Sequence, residues 1–377
     1  MVERGEQLGS EVTRRTRRNG VVAAVATVLL VVGGGAAWLL SGDDPVIDVQ
    51  GTTTVAPTTE VPATEAGPVA PLTGEPVGEA ELPLIARPAL AVKIDNDPAA
   101  APHWGLEAAD LVVEVKVEGI SRFVSVFHSR DVGDVGPVRS ARTGDPDLLA
   151  MLGRPLTAWS GANAATAGIM RDTPWVQNVD IDRITSAYRR VGERRAPHNL
   201  LLDARAAFAA AEEPVQPPAP VFGYAEPEDA PRGRPIGGIN LVVGKSSSSY
   251  VWDADRSGWR RFVDGRPHVD LGDQQLTPRN VVVLETEYRP SPADARSPEA
   301  RSTGGGRAWI LSAGHLVEGS WIRPDRTDPW ILLDGEGEPV ELRPGATWVA
   351  LPEPGAGPGV LGDDEAAALL ARSCPRQ

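Results

Sequence analysis

"VGPVRSAR", residues 135–142, sets Arg139 and Arg142 on either side of Ser140, and "RRAPHNLLLD", residues 194–203, adds Arg195, His198 and Asn199. Planar guanidinium forks take a carboxylate or a phosphate through two parallel hydrogen bonds. Between the two stretches, "WSGANAAT" at 159–166 leads a strand-like run through Gly161 into the start of a helix, where free backbone N–H groups attract negative charge. Together these residues describe an anion crevice. Arg139 and Arg142 would clamp the ligand, donors near Gly161 would add to them, and His198 with Asn199 would orient it. The competing account pairs the arginines with Asp110, Glu114 or Glu118, so that they tie loops to a sheet.

His198 is the one candidate for catalysis, as a general base, though positive charge beside it lowers its affinity for a proton. Ser140 lacks the G-x-S-x-G and S-x-x-K surroundings of an activated nucleophile. "VKIDND" brings Asp95 and Asn96, secondary candidates, to the end of a strand. No glycine-spaced calcium loop follows, and the pattern reads as a turn bonded to its own backbone. One cysteine, Cys374, and five histidines give no cysteine cluster for zinc, and no metal or cofactor is expected.

These residues need a scaffold. "ALAVKID" reads as a buried strand, and "LVVEVKVEG" with "RFVSVFHS" as a hairpin turning near Gly119. "DPDLLAMLGR" opens as a helix with Asp145 as N-cap and Pro146 at its first position; Asn163 and Asp203 cap two more. Strands and helices alternate, so residues 84–213 are expected to form an α+β or α/β domain. A proline-dense linker at 214–235 would follow, then a small all-β domain at 236–354 and a tail at 355–377. Six tryptophans fall on its strands, as core aromatics or, alternatively, a sugar-stacking platform.

Composition sets the compartment and excludes one partner class. The net charge is −14, which argues against nucleic acid. Arg14, Arg15, Arg17 and Arg18 in the basic tail 1–20 precede an uncharged apolar run, 21–40, of membrane-spanning length. That run predicts one transmembrane helix, a signal anchor with the N-terminus cytoplasmic and the rest extracytoplasmic. Trp38, Leu39 and Leu40 prolong it past the small residues where a signal peptide would be cut, which favours an uncleaved anchor. Residues 41–83, rich in Thr, Pro and acidic side chains, read as a disordered stalk.

Several long runs, in order, resemble a known family: "PLTG" at 71–74, "RPALAVKIDNDPAAAPHWGLEAADLVVEVKVEGISRFVSVFHS" at 87–129, "VGPVRSAR" and "APHNLLLD". They are similar to the N-terminal domain of the YerB-like bacterial envelope proteins, often lipoproteins, whose two domains (DUF3048 type) have no known function. "SGWRRFVDGRPHVD", "RNVVVLETEY" and "GSWIRPDRTDPWILLDGEGEPVELRPGATWVALP" resemble the C-terminal domain. The chain departs from the family in having an apolar segment instead of a lipoprotein cysteine, and only Gly119 where a pair of glycines is usual. The resemblance implies Arg139, Arg142, His198 and Asn199 as site residues.

The expectation is therefore a membrane-anchored extracytoplasmic binding or regulatory module of the cell envelope, recognising an anionic wall or lipid-linked ligand. Its expected partners are the membrane, through residues 21–40, and peptidoglycan or an envelope protein. The rivals are an envelope hydrolase or transferase using His198 with Arg139 and Arg142, and a scaffold that grips another protein by its edge strands.

Overall fold

The computed structural model describes residues 67–374. The expected transmembrane segment at 21–40 lies outside them. Among the described residues no helix is long and apolar enough to cross a membrane.

Short β-branched runs dominate the sequence, and the fold is mostly β with few helices. The three strands expected from the first segment form: β1 (Leu90–Ile94), β2 (Leu111–Lys116) and β3 (Ser121–Phe127). The hairpin is confirmed, with Leu111 opposite Val126 and Lys116 opposite Ser121. On the other side of β3 lies β1, antiparallel, which pairs in parallel with Leu156–Ala158.

The strand pairing crosses the boundary expected between the two domains. β2 runs parallel to Thr347–Leu351, with Leu111 opposite Thr347 and Val115 opposite Leu351, and that strand pairs with Asn280–Leu284. One sheet therefore crosses the boundary expected at 214–235. Its strands alternate between two cores. Leu90, Val92, Val281, Val283 and Trp348 face one; Ala91, Val113, Val282, Val349 and Leu351 face the other. A sheet covered on both faces needs continuous apolar runs, which explains "NVVVL" and "TWVAL". A second sheet, including Gly238–Val243, Ser246–Asp253 and Gly258–Val263, supplies the first core with Ile239, Leu241, Tyr250 and Trp259.

Other boundaries shift as well. The fold begins before residue 84: Leu72 and Thr73 are buried, and the Thr73 carbonyl accepts from Gly345 N at 2.7 Å. The proline-dense stretch is largely exposed but anchored at its middle, with Val221 and Phe222 buried and Tyr224 Oη donating to Leu72 O at 2.6 Å. The expected tail contains a strand, Gly359–Val360, against Ile239–Asn240 and a helix, Asp363–Leu370, whose Ala366 and Leu369 join Val251 and Phe262. Of the six tryptophans, all but Trp252 are buried, which supports the core reading. The Asp145 helix is capped by Gly144, one residue early, because the Asp145 carboxylate is committed to Lys93 Nζ and to Arg142 N.

Candidate functional site

β1 ends on Ile94, and the register Ile94–Phe123 places the next residue, Asp95, across from Arg122 of β3. Asp95 is completely buried. Its Oδ1 accepts from Arg122 Nη1 at 2.6 Å and from Asp97 N at 3.1 Å. Its Oδ2 accepts from His198 Nδ1 at 2.7 Å and lies 3.2 Å from Arg139 Nη1. A carboxylate without water needs such donors to stay charged.

The arginine loop reaches this point because Arg139 N donates to Lys93 O at 2.8 Å, extending the sheet beyond β1. The same segment runs beside the start of the next helix: Ser160 N donates to Arg139 O and Ala141 N to Gly161 O, each at 3.0 Å. Gly161 holds φ at +150°, a region that disfavours side chains, and a Cβ there would sit 3.9 Å from Ser140 Oγ. Asn163 caps Ala164–Asp172 by accepting from Thr166 N at 2.8 Å. Arg139, Ser140 and Gly161 are thus neighbours, and His198 joins them through Asp95.

The remaining candidates separate. Arg142 Nη2 donates to Glu118 Oε2 at 2.7 Å, the tie that the competing account named. Asn199 is buried and committed to its own loop: Oδ1 accepts from Arg190, and Nδ2 donates to Val191 O and Arg194 O. It positions His198 and has no hydrogen left for a ligand. Arg195 is exposed, and no side-chain partner for it is found among the described residues. Asn96 donates to Ser121 Oγ at 2.6 Å and to Glu114 Oε1 at 3.3 Å, away from the arginines.

Donors remain over after these pairings. Arg139 Nη1 is buried without an aligned acceptor, so its 3.2 Å approach to Asp95 is a charge contact and not a directed hydrogen bond. Arg142 Nε is likewise buried and unpaired. Arg122, 8% exposed, commits only Nη1 among the described residues, and burial lowers its pKa. His198, 22% exposed along its side chain, commits Nδ1 and leaves Nε2 without a protein partner among the described residues.

Asp95 was only a secondary candidate in the sequence, and Arg122 was not a candidate. A buried relay behind them was missed altogether. Arg261 Nη1 donates to His268 Nδ1 at 2.5 Å, His268 Nε2 to His103 Nδ1 at 3.0 Å, and His103 Nε2 to the Asp95 carbonyl at 2.7 Å. An obligate donor at one end and an obligate acceptor at the other fix both tautomers as neutral. Burial agrees, lowering the His103 pKa to about 4 and that of His268 well below its usual value. Arg261, on the second sheet, also donates to Glu114 Oε2 of β2 at 3.1 Å, so the relay joins the two sheets.

Two family models match in succession: "Protein of unknown function (DUF3048) N-terminal domain" over residues 72–215 and its C-terminal domain over 239–349. The chain belongs to the DUF3048 family. The two DUF3048 matches divide near the proline-dense connection, although the sheet does not. A curated relative, "Putative lipoprotein YerB" of Bacillus subtilis (strain 168), is 26% identical over 307 residues, 77% of this chain and 87% of the relative. The crystal structure of YerB protein from Bacillus subtilis matches with a TM-score of 0.66 at 23% identity, covering 78% of this chain and 100% of that one. That likeness establishes a shared DUF3048 fold.

Proposed function

We propose that this protein is a membrane-attached, extracytoplasmic module of the cell envelope that binds an anionic group, phosphate or carboxylate, of a wall or lipid-linked ligand. Attachment on that side is supported by the apolar run at 21–40 behind its arginines and by the relative described as a putative lipoprotein. The binding role rests on one observation: a buried carboxylate, Asp95, holds Arg122, Arg139 and His198 together while guanidinium donors stay unclaimed. Two guanidinium groups gathered beside a histidine, at a cost in burial and mutual repulsion, are suited to receiving an anion. The test is calorimetric titration of the full chain in detergent with dimethyl phosphate and with acetate. Saturable binding of either, weakened in Arg139→Ala, is the expected result; no heat of binding with either contradicts the reading.

A further inference from the structure

Asp95 holds a histidine in a form that can do more than bind. A carboxylate accepts and cannot donate, so the 2.7 Å contact fixes a proton on His198 Nδ1, and in the neutral ring the lone pair is then on Nε2. The ring is partly exposed, and Nε2 has no protein partner among the described residues. Arg139 approaches the same oxygen, Asp95 Oδ2, at 3.2 Å. An anion received by Arg139 therefore lies beside a fixed proton acceptor. The carboxylate does not drift, because the His103 bond to its backbone carbonyl and the Arg122 bond to Oδ1 hold it from two further sides.

Charge selects the kind of anion. Arg122, Arg139 and Arg142 carry three positive charges against two negative ones on Asp95 and Glu118, and Lys93 and Asp145 cancel in a buried pair at 2.8 Å. One positive charge remains. It matches a monoanion such as a phosphodiester, whereas the dianion of a phosphate monoester would leave a surplus negative charge.

We propose that His198 is the general base of a phosphodiester hydrolase at this site, an inference that rests on the anion-binding reading. Nε2 takes a proton from water as the water oxygen forms its bond to phosphorus. The P–O bond to the leaving group breaks, and its electron pair departs with the alkoxide, which takes a proton from solvent. The imidazolium is stabilised by Asp95 until it returns its proton to solvent. Arg139 and Arg122 offset the charge that builds on the phosphoryl oxygens.

The experiment uses the full chain with bis(p-nitrophenyl) phosphate, p-nitrophenyl phosphate and, for binding alone, dimethyl phosphate. The expected result is release of nitrophenolate from the diester in preference to the monoester. His198→Asn, whose amide nitrogen is bonded to Cγ as Nδ1 is, should lower diester turnover by about 100-fold or more while dimethyl phosphate still binds, and the same test applies to His198→Gln. Binding without release by the wild type overturns the catalytic inference and leaves the module standing, as does equal turnover by either variant. Failure of the wild type to bind dimethyl phosphate or turn over the diester overturns the inference.

Discussion

Asp95 and His198 stand 103 positions apart in the chain, and their side chains meet at 2.7 Å. The contact joins the end of the first sheet strand to the loop that precedes Leu200–Asp203, and Arg139 arrives at the same oxygen. Whatever the site does, it is organised by this one carboxylate.

Removing that charge is expected to be costly. Asp95→Asn removes the hydrogen-bonded counter-charge of buried Arg122 and leaves it only the more weakly acting Glu118, and the loss of stability should be about 3–5 kcal/mol. Arg139→Ala should cost less, about 1 kcal/mol, because that side chain is 18% exposed and its contact is misaligned. Urea unfolding of the full chain at neutral pH gives both values. Equal losses, or the reverse order, would mean that Asp95 is not the hub.

Acid should loosen the fold through His103. The folded ring stays neutral down to about 4, against 6.5 for an ordinary histidine. The unfolded chain takes up its proton as the pH drops through 6.5 and the folded one does not, so stability is full above that value and declines toward 4. The whole decline is about 3 kcal/mol for this residue, and His268 and His128, the latter lowered to about 4 by burial outside the relay, act in the same direction. Glu107 and Asp110, raised by burial, act oppositely, so the informative quantity is a difference between two proteins. His103→Gln, which keeps a donor toward the Asp95 carbonyl, should flatten the wild-type slope of stability against pH below 6.5. An unaltered slope would show that the relay is not what titrates.

Because β2 finds its parallel partner in Thr347–Leu351, the N-terminal part should not fold alone. A fragment of residues 67–213 is expected to lack a cooperative melt by circular dichroism, while the full chain loses both parts of the sheet in one transition. A sharp melt of the fragment would contradict the shared sheet as the unit of stability.

Cys374 is a free thiol of intermediate exposure, tethered through its carbonyl to Arg260 Nη1 at 2.9 Å. As the sole cysteine it reports topology. A membrane-impermeant maleimide applied to intact cells should label it, and labelling only after lysis would put the folded part in the cytoplasm.

Local chemistry was readable and long-range pairing was not. Asn163 and Asp203 cap their helices as side-chain acceptors near an apolar run should, and the hairpin at Gly119 follows from alternation on both sides of one turn. The Arg142–Glu118 tie could be named because Glu118 ends the hairpin strand expected beside that loop. Asp95 was named only as a secondary candidate and Arg122 not at all, because their meeting depends on the β1–β3 register, which short apolar runs do not specify. The sheet shared by the two parts was hidden for a related reason: "NVVVL" and "TWVAL" announce burial on both faces without saying which strand comes alongside. Asn199 looked like a ligand residue by position, yet its amide is used up by Arg190, Val191 and Arg194.

The most direct test of the central claim is calorimetric titration of the full chain with dimethyl phosphate, wild type beside Arg139→Ala, with unfolding measured on both. The account predicts one saturable site in the wild type and an affinity at least about tenfold lower in the variant, with folding kept. Equal affinity in the two proteins would place the anion elsewhere and leave Arg139 as a structural partner of Asp95.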